Sequence, residues 1–276
     1  MNGTESNVPA GGSGIAGSPP IPDEGLAGRR ALVTGGSRGL GAAIVRRLAA
    51  AGATVFAAAR SAPPEGSLPA RFFTADLADP DGARQLAERV RDAVGGVDIL
   101  IDNAGAGSAP ADTLTRSLET WRSDLESNVL SAIRLDQELV PGMVERGSGV
   151  VVHVSSIASH LPQPGQAAYA AAKAALNSYS RSLAAEVGPA GVRVVCVLPG
   201  FIATPGAIAH HQKIADSQGV SLEEAQRGLA ARLNVPMNRP GTPEDAAELV
   251  AFLVSERARW LTGSQFRVDG GILAQV

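Results

Sequence analysis

Two residues capable of acid/base chemistry, Tyr169 and Lys173, stand four positions apart in an alanine-rich stretch. Alanine favours helix strongly, and this spacing places both side chains on one helix face. An ammonium beside a phenol stabilises the phenolate, so we expect the pKa of Tyr169 to be lowered towards neutrality. A phenol with such a pKa can donate or accept a proton. Because Tyr and Lys at this spacing are also common on solvated helix faces, the pair gains its meaning from the rest of the chain.

The elements that must position this pair follow an α/β pattern. From residue 30 onwards, short apolar runs alternate with longer amphipathic segments, as in β-α units that wind a parallel sheet. We predict a Rossmann-type single domain with a doubly wound, mostly parallel seven-stranded sheet and helices on both faces. The predicted strands cover residues 31–34, 54–59, 71–74, 99–102, 150–155, 193–198 and 265–268. The predicted helices cover residues 40–51, 80–94, 118–146, 167–187 and 243–254.

Two segments stand outside this alternation. Residues 1–26 are rich in Gly, Ser and Pro without periodicity, which predicts a disordered leader before a domain at 27–276. Residues 204–239 interrupt the β-α pattern near the end of the domain. Such an insertion is a natural place for a substrate lid.

Composition argues against several classes of function. The net charge of −3 comes with no basic stripe, so we expect no nucleic-acid partner. No apolar run is long enough to span a membrane, and no secretory signal begins the chain, so we expect a cytoplasmic protein without membrane contact. We expect His160, His210 and His211 to lie in loops, and we predict no metal site because no third ligand stands at a plausible spacing.

A glycine-rich stretch, which includes Gly35, Ser37, Arg38, Gly39 and Leu40, follows the first predicted strand. Glycines permit a tight turn there and let backbone N–H groups approach a pyrophosphate at the start of a helix, so the stretch predicts a bound dinucleotide. The same Gly-Gly-Ser-Arg-Gly run also fits the nucleophile elbow of serine hydrolases. An elbow takes an oxyanion N–H from a loop after an earlier strand, and no strand is predicted before residue 30. We therefore favour the dinucleotide.

The end of the second predicted strand indicates which dinucleotide is bound. An acidic residue at that place would bind the ribose 2′-hydroxyl of NAD, but the chain has Arg60 there instead. Arg60 and Arg38 could hold a 2′-phosphate by bidentate, charge-assisted hydrogen bonds. NADP(H) is therefore the preferred cofactor and NAD(H) a possible one. The alternative is that both arginines are merely solvated loop residues.

Taken together, these motifs resemble the short-chain dehydrogenase/reductase family, in its group with the Tyr-x-x-x-Lys signature. The resemblance runs from about residue 26 to residue 276. Besides the glycine-rich stretch and the Tyr-Lys pair, it rests on Asp76-Leu77, Asp102-Asn103-Ala104-Gly105, Asn128, Ser155-Ser156, Pro199-Gly200 and Val268-Asp269-Gly270-Gly271.

The resemblance implies hydride transfer to or from C4 of a nicotinamide. In that chemistry Tyr169 would donate a proton to a carbonyl oxygen or remove one from an alcohol. Ser156 would hydrogen-bond the same oxygen. Lys173 would bind the nicotinamide ribose, and Asn128 would position a water that relays protons to that lysine. Only one of Ser155 and Ser156 can face the site, because residues alternate faces along a strand.

The resemblance also implies which residues meet the cofactor. The full set that we expect to contact it is Gly35, Ser37, Arg38, Gly39, Leu40, Arg60, Asp76, Leu77, Asn103, Ala104, Gly105, Tyr169, Lys173, Pro199, Gly200, Ile202 and Thr204. Three departures from the family pattern concern how the backbone is braced. Asp102, His153 and Val195 stand where family members commonly have asparagines.

The preferred function is that of an NADPH-dependent carbonyl (ketone) reductase or secondary alcohol dehydrogenase with a small carbonyl or alcohol substrate. An NAD-dependent alcohol dehydrogenase is one alternative. A non-catalytic dinucleotide-sensing module is another, against which the intact Asn, Ser, Tyr and Lys set argues. The helices at residues 121–143 and 167–183 correspond to the family's usual subunit interface, so we expect a homotetramer, or else a homodimer.

Overall fold

The computed structural model describes residues 24–274 and contains one seven-stranded sheet. The sheet has the order β3-β2-β1-β4-β5-β6-β7, and every neighbouring pair of strands is parallel. The strands are β1 (Arg30–Thr34), β2 (Thr54–Ala59), β3 (Arg71–Thr74), β4 (Ile99–Asp102), β5 (Gly149–Val154), β6 (Val192–Pro199) and β7 (Gln265–Val268). The strand order reverses between β1 and β4, and such a switch point opens a crevice at the carboxyl ends of the strands. The predicted fold class is confirmed.

Helices cover both faces of the sheet. They are α1 (Gly39–Ala50), α2 (Gly82–Val94), α3 (Leu118–Leu125), α4 (Ser131–Glu145), α5 (Ala167–Val187), α6 (Pro205–Gln218), α7 (Leu222–Arg232) and α8 (Pro243–Val254). One core contains α1 and α8 side chains such as Leu48 and Val250, packed on Val152 of β5. The other contains α2 and α4 side chains such as Leu86, packed on the adjacent Val151. Because successive strand residues point to opposite faces, each apolar strand serves both cores.

The long helix that we predicted over residues 118–146 is interrupted. A π-helical turn, Glu126–Leu130, separates α3 from α4 and contains Asn128. The Asn128 amide donates to the carbonyl oxygens of Asp124 and Ala106, both at 2.9 Å. A π turn inserts one residue into the helical ladder, and such turns are frequent at functional sites.

The predicted insertion at residues 204–239 contains two helices, α6 and α7. Thr204 caps α6, and Ser221 with Glu224 forms a capping box at the start of α7. The expectation that His210 and His211 lie in loops is therefore wrong, since both are in α6. Ser221 and Glu224 are spaced as a capping box requires, so the start of α7 was readable from the sequence.

Most of the predicted leader lies outside the described residues. Residues 24–26, which we predicted as the end of the leader, pack against the folded domain. Leu26 is fully buried in the core beside α1, and Glu24 forms an ion pair with Arg47. The folded domain thus includes residues that we had assigned to the leader. Within the described residues, no helix is both long enough and apolar enough to cross a membrane.

The glycine-rich stretch provides a stability test with a matched control. A Cβ added at Gly41 would lie 2.2 Å from the Gly35 carbonyl oxygen, whereas one at Gly228 in α7 would meet no atom within 4 Å. We expect Gly41→Ala to lower the free energy of unfolding by about 1–3 kcal/mol through overpacking. We expect Gly228→Ala to raise it by up to about 1 kcal/mol, because Ala is the better helix former. Urea unfolding checks both values, and equal effects of the two changes would contradict the close packing at Gly41.

Candidate active site

A cleft of about 960 Å³ opens at the carboxyl ends of β1, β2, β3 and β4. Its walls include most of the residues that we expected to contact a cofactor: Gly35, Ser37, Arg38, Gly39, Leu40, Arg60, Asp76, Leu77, Asn103, Ala104, Gly105 and Thr204. The other expected residues, Tyr169, Lys173, Pro199, Gly200 and Ile202, are not among the wall residues. Thr204 caps α6 by accepting the Ala207 N–H at 3.3 Å.

The turn between β1 and α1 is shaped for close backbone approach. Gly35 and Gly39 have φ values of +64° and +56°, in the left-handed region that glycine tolerates. No side chain caps the N-terminus of α1, and its first turn contains no acidic residue. The positive end of the helix, with its N–H groups, is therefore available to an anion such as a pyrophosphate.

Asn103 braces this turn. Its side-chain amide donates to the Thr34 carbonyl oxygen at 2.9 Å, and its backbone N–H donates to the Thr34 hydroxyl oxygen at 3.0 Å. The Ala104 N–H donates to the same hydroxyl at 2.9 Å. The chain after β4 is thus tied to the chain after β1, which fixes two walls of the cleft relative to each other.

Two arginines, Arg38 and Arg60, lie in the cleft wall near the end of β2. Arg38 and Arg60 are both exposed wall residues. Among residues 24–274, neither guanidinium has a hydrogen-bond or ion-pair partner. Planar guanidinium groups without partners suit a phosphate that offers several oxygens.

The four candidate catalytic residues gather beyond the other end of the cleft, next to Gly105 and Gly107. A Cβ added at Gly105 would lie 2.6 Å from Asn128 Oδ1 and 3.4 Å from Lys173 Nζ, so both polar groups face the same small space. Asn128 is buried, and its Oδ1 atom has no hydrogen-bond partner in the described part of the chain. An unpaired buried acceptor beside an ammonium suits a bound water or ligand hydroxyl.

Lys173 is almost completely buried. Its Nζ donates to the Val154 carbonyl oxygen at 2.8 Å and lies 5.8 Å from the centroid of the Tyr169 ring. Burial lowers the pKa of Lys173 to about 8, and the nearby Cys196 raises it slightly. The ammonium is therefore charged at neutral pH and retains N–H groups for other acceptors.

The prediction of a lowered Tyr169 pKa is wrong for this structure. Burial raises the pKa of the phenol, the hydroxyl of Ser156 lowers it, and the negative charge of Asp124 raises it further. Burial prevails because the phenolate loses more hydration than the neutral phenol does. At neutral pH Tyr169 is therefore a protonated phenol, which is the form that donates a proton.

The two serines after β5 point in different directions. The Ser155 hydroxyl is buried and donates to the Lys173 carbonyl oxygen at 3.1 Å. The Ser156 hydroxyl is half-buried beside Tyr169 and accepts the Ala158 N–H at 3.1 Å. Ser156 is thus placed to meet a ligand at Tyr169, while Ser155 anchors the helix that bears Tyr169 and Lys173.

Sequence reasoning missed three residues of this site, namely Asp124, Gly107 and Ser108, all in the cleft wall. Asp124 is buried and accepts hydrogen bonds from Ser108. A signal for Asp124 was present, because it precedes Asn128 by four residues and so shares its helix face. Gly107 and Ser108 gave no such signal.

Asp102 and His153, two of the departures from the family pattern, lie together in a buried cluster with Asp136 and Tyr179. His153 Nε2 is 2.9 Å from Asp136 Oδ2, and the Tyr179 hydroxyl donates to the same oxygen at 2.9 Å. Asp102 Oδ2 is 3.9 Å from His153 Nε2. Burial and the charge of Asp136 raise the pKa of Asp102 well above its ordinary value.

The ligand atoms of Asp102, Asp136 and His153 lie within 4.8 Å of one another, close enough to hold a metal ion. The hydrogen bonds of His153 and Tyr179 to Asp136 give the cluster a structural role that needs no ion. It connects β4, β5, α4 and α5, and two of its members directly precede Asn103 and Val154 of the site. The expectation of no metal site stays a prediction.

Comparison with known proteins identifies the family to which this chain belongs. Residues 35–273 match the family model described as enoyl-(acyl carrier protein) reductase. The 3-oxoacyl-(acyl-carrier-protein) reductase FabG of Vibrio cholerae is 35% identical over 257 residues, which cover 90% of this chain and 98% of that relative. The chain belongs to the short-chain dehydrogenase/reductase family. It is therefore an oxidoreductase that acts on C=O or CH–OH groups with NAD(P), and not a serine hydrolase.

Solved structures agree with this assignment. L-sorbose reductase from Gluconobacter frateurii, in complex with NADPH and L-sorbose, has a TM-score of 0.87 and 34% identity. The match covers 92% of this chain and 100% of that one. A variant of actinorhodin polyketide ketoreductase with NADPH has a TM-score of 0.80 and 31% identity, covering 89% of this chain and 97% of that one.

Because the pKa of Asp102 is raised in the folded protein, we expect the free energy of unfolding to depend on pH. Above an ordinary carboxyl pKa of about 3.9, the unfolded chain releases the proton of this carboxyl while the folded chain keeps it, so stability is lost as pH rises towards the folded pKa. Asn is the neutral isostere of a protonated Asp. We therefore expect the free energy of unfolding of Asp102→Asn, relative to wild type, to increase from pH 4 to pH 8 in urea titrations.

The exposed Asp92 of α2 supplies the control, because Asp92→Asn removes a carboxylate from the surface. We expect its stability to follow the wild type across this pH range. A curve for Asp102→Asn parallel to the wild type would show that Asp102 is ionised in the folded protein.

Proposed function

We propose that the protein is an NADPH-dependent ketone reductase in which Tyr169 is the proton donor. The observation that carries this proposal is the protonated phenol of Tyr169, held beside Lys173 and Ser156 at one end of a cleft. Two partner-free arginines at the other end favour a cofactor with an additional phosphate. The named similar proteins that support the proposal are reductases of ketone groups, and two of their structures contain NADPH.

The cleft fits this cofactor in three places. The backbone at Gly35 and Gly39 and the open N-terminus of α1 would hold the pyrophosphate. Arg38 and Arg60 would hold the 2′-phosphate. Lys173 would bind the nicotinamide ribose through the N–H groups that it does not donate to Val154. When bound, the reduced nicotinamide supplies the hydride for the reaction.

Tyr169 would donate its proton to the oxygen of the substrate carbonyl. Ser156 would donate a hydrogen bond to the same oxygen and so hold it near the phenol. The charged ammonium of Lys173 would stabilise the phenolate that remains. Asn128 Oδ1, which faces the space beside Lys173 Nζ, would accept a hydrogen bond from a water that returns a proton towards the lysine.

Both the cofactor preference and the proton state favour reduction over oxidation. A protonated phenol is ready to donate, whereas alcohol oxidation needs the phenolate as a base. An NAD-dependent alcohol dehydrogenase, the alternative from the sequence, would make no use of the cationic end of the cleft. The lid role of residues 204–239, the homotetrameric or homodimeric state and the cytoplasmic location stay predictions.

Removal of the Tyr169 hydroxyl tests the proton donor. We expect Tyr169→Phe to lower kcat for ketone reduction by about 10²–10⁴-fold, the usual contribution of a general acid. NADPH affinity, measured by fluorescence titration, should stay near the wild-type value. The control is Tyr179→Phe, which changes the only other tyrosine and should leave kcat within a few-fold of wild type. Turnover of Tyr169→Phe close to the wild-type rate would refute the mechanism.

Removal of one arginine tests the cofactor. We expect Arg60→Ala to raise KM for NADPH roughly tenfold or more, as the loss of a charge-assisted hydrogen bond implies, without raising KM for NADH. Arg46→Ala removes an exposed arginine of α1 outside the cleft and should change neither constant. Equal KM values for NADPH and NADH in the wild type, unaffected by Arg60→Ala, would instead support the NAD-dependent alternative.

A further inference from the structure

Asp124 is a buried charge that the proposed mechanism does not use. Its side chain extends from α3 into the cleft wall and is only 3% exposed. A carboxylate can be buried at low cost only where hydrogen bonds or charges compensate for its lost hydration. The partners of Asp124 therefore indicate what it holds in place.

Ser108 supplies two of these hydrogen bonds. Its backbone N–H donates to Asp124 Oδ1 at 3.0 Å, and its hydroxyl donates to Asp124 Oδ2 at 2.8 Å. The same hydroxyl oxygen accepts a hydrogen bond from Arg116 Nη1 at 2.6 Å. The serine thus lies between a carboxylate and a guanidinium, and both of its polar groups are fixed.

Arg116 extends this connection to the start of α5. Its Nη2 donates to the carbonyl oxygen of Ala109 at 3.0 Å and to that of Gly165 at 2.8 Å. Gly165 lies just before α5, the helix that bears Tyr169. One continuous set of hydrogen bonds therefore joins α3, residues 105–111 and the beginning of α5.

Gly107, within residues 105–111, lies directly against the Tyr169 ring. A Cβ added at Gly107 would be 3.1 Å from Cγ of Tyr169 and 3.2 Å from its Cδ2. The Asn128 amide holds the same segment from another side, because it donates to the Ala106 carbonyl oxygen at 2.9 Å. A shift of this segment would therefore change the position or freedom of the tyrosine ring.

Three groups lie around the Tyr169 side chain on the elements packed against it. Lys173 Nζ, from α5, is 5.8 Å from the centroid of the ring. The Ser156 hydroxyl, from the end of β5, lowers the pKa of the phenol. Asp124, from α3, has the opposite effect and raises that pKa by its negative charge, in addition to the larger effect of burial.

We propose that Asp124 is a positioning residue of this active site, which holds residues 105–111 on the Tyr169 ring through Ser108 and places a negative charge near the ring. This inference rests on the proposed function, since it takes Tyr169 as the proton donor. It adds a charge that favours the donor form of Tyr169 and so favours carbonyl reduction over alcohol oxidation.

Direct titration of Tyr169 tests the effect of the negative charge of Asp124 on the pKa of this tyrosine. The protein has two tyrosines, so the phenolate absorbance that is present in the wild type and missing in Tyr169→Phe belongs to Tyr169. In the cofactor-free protein, we expect Asp124→Asn to titrate at lower pH than wild type, by about half a pH unit or more. Glu119→Gln removes an exposed charge from the same helix and should titrate like the wild type. An unchanged midpoint in Asp124→Asn would overturn the role of the charge.

Ser108→Ala tests the positioning role separately. It also keeps the proposal testable if Asp124→Asn does not fold. It keeps the charge but removes the hydroxyl that joins Asp124 to Arg116. We expect the titration midpoint of Tyr169 to stay within about 0.2 pH units of wild type and kcat to fall roughly tenfold, as the loss of one oriented hydrogen bond implies, with KM little changed. Wild-type kcat in Ser108→Ala would overturn the positioning role.

The two proposals fail in different ways. An active Tyr169→Phe would remove the proposed function, whatever the Asp124 variants do. Conversely, an inactive Tyr169→Phe together with wild-type behaviour of Asp124→Asn and Ser108→Ala would keep the function and refute the role of Asp124.

Discussion

The site depends on the burial of one ammonium group. Lys173 is 4% exposed, and its Nζ is held by the Val154 carbonyl oxygen at 2.8 Å. A buried cation of this kind is stable only if the backbone around it is fixed, because its remaining N–H groups need acceptors. The parallel sheet provides that rigidity, since β5 carries Val154 and lies inside the sheet, paired with β4 on one side and β6 on the other. The same strand end places Ser156 beside Tyr169, so one packing arrangement positions three of the four catalytic candidates.

Hydrogen bonds of polar side chains reinforce the rigidity of the strand ends. Asn103 ties the chain after β4 to Thr34 at the end of β1. One position earlier, Asp102 belongs to the buried cluster with His153, Asp136 and Tyr179. Where the family commonly has asparagines, this chain therefore has a carboxyl with a raised pKa and an imidazole in contact with a second carboxyl group. The raised pKa of Asp102 makes the stability of the domain sensitive to pH.

Most of the fold could be predicted because each buried strand is a continuous apolar run bounded by polar residues. The limits of β2, β3, β4, β7 and α5 were predicted as the structure has them. The π turn could not be predicted, because Asn128 in this turn donates a hydrogen bond to Ala106, which is 22 residues away in the sequence. The polar cluster of Asp102 was hidden for the same reason, since its members come from four different elements. The Tyr169 pKa was predicted in the wrong direction because the spacing revealed the charge of Lys173 but not the burial of the phenol.

The central claim is that a protonated Tyr169 donates to a carbonyl. The most direct measurement is the pH dependence of single-turnover rates in both directions, for one ketone and its corresponding alcohol, with saturating NADPH or NADP⁺. The account predicts that the rate of reduction is constant at neutral pH and falls when Tyr169 ionises at alkaline pH, while the rate of oxidation rises through the same transition. Rates that change in the same direction through that transition, or a reduction rate that increases as the phenol ionises, would contradict it.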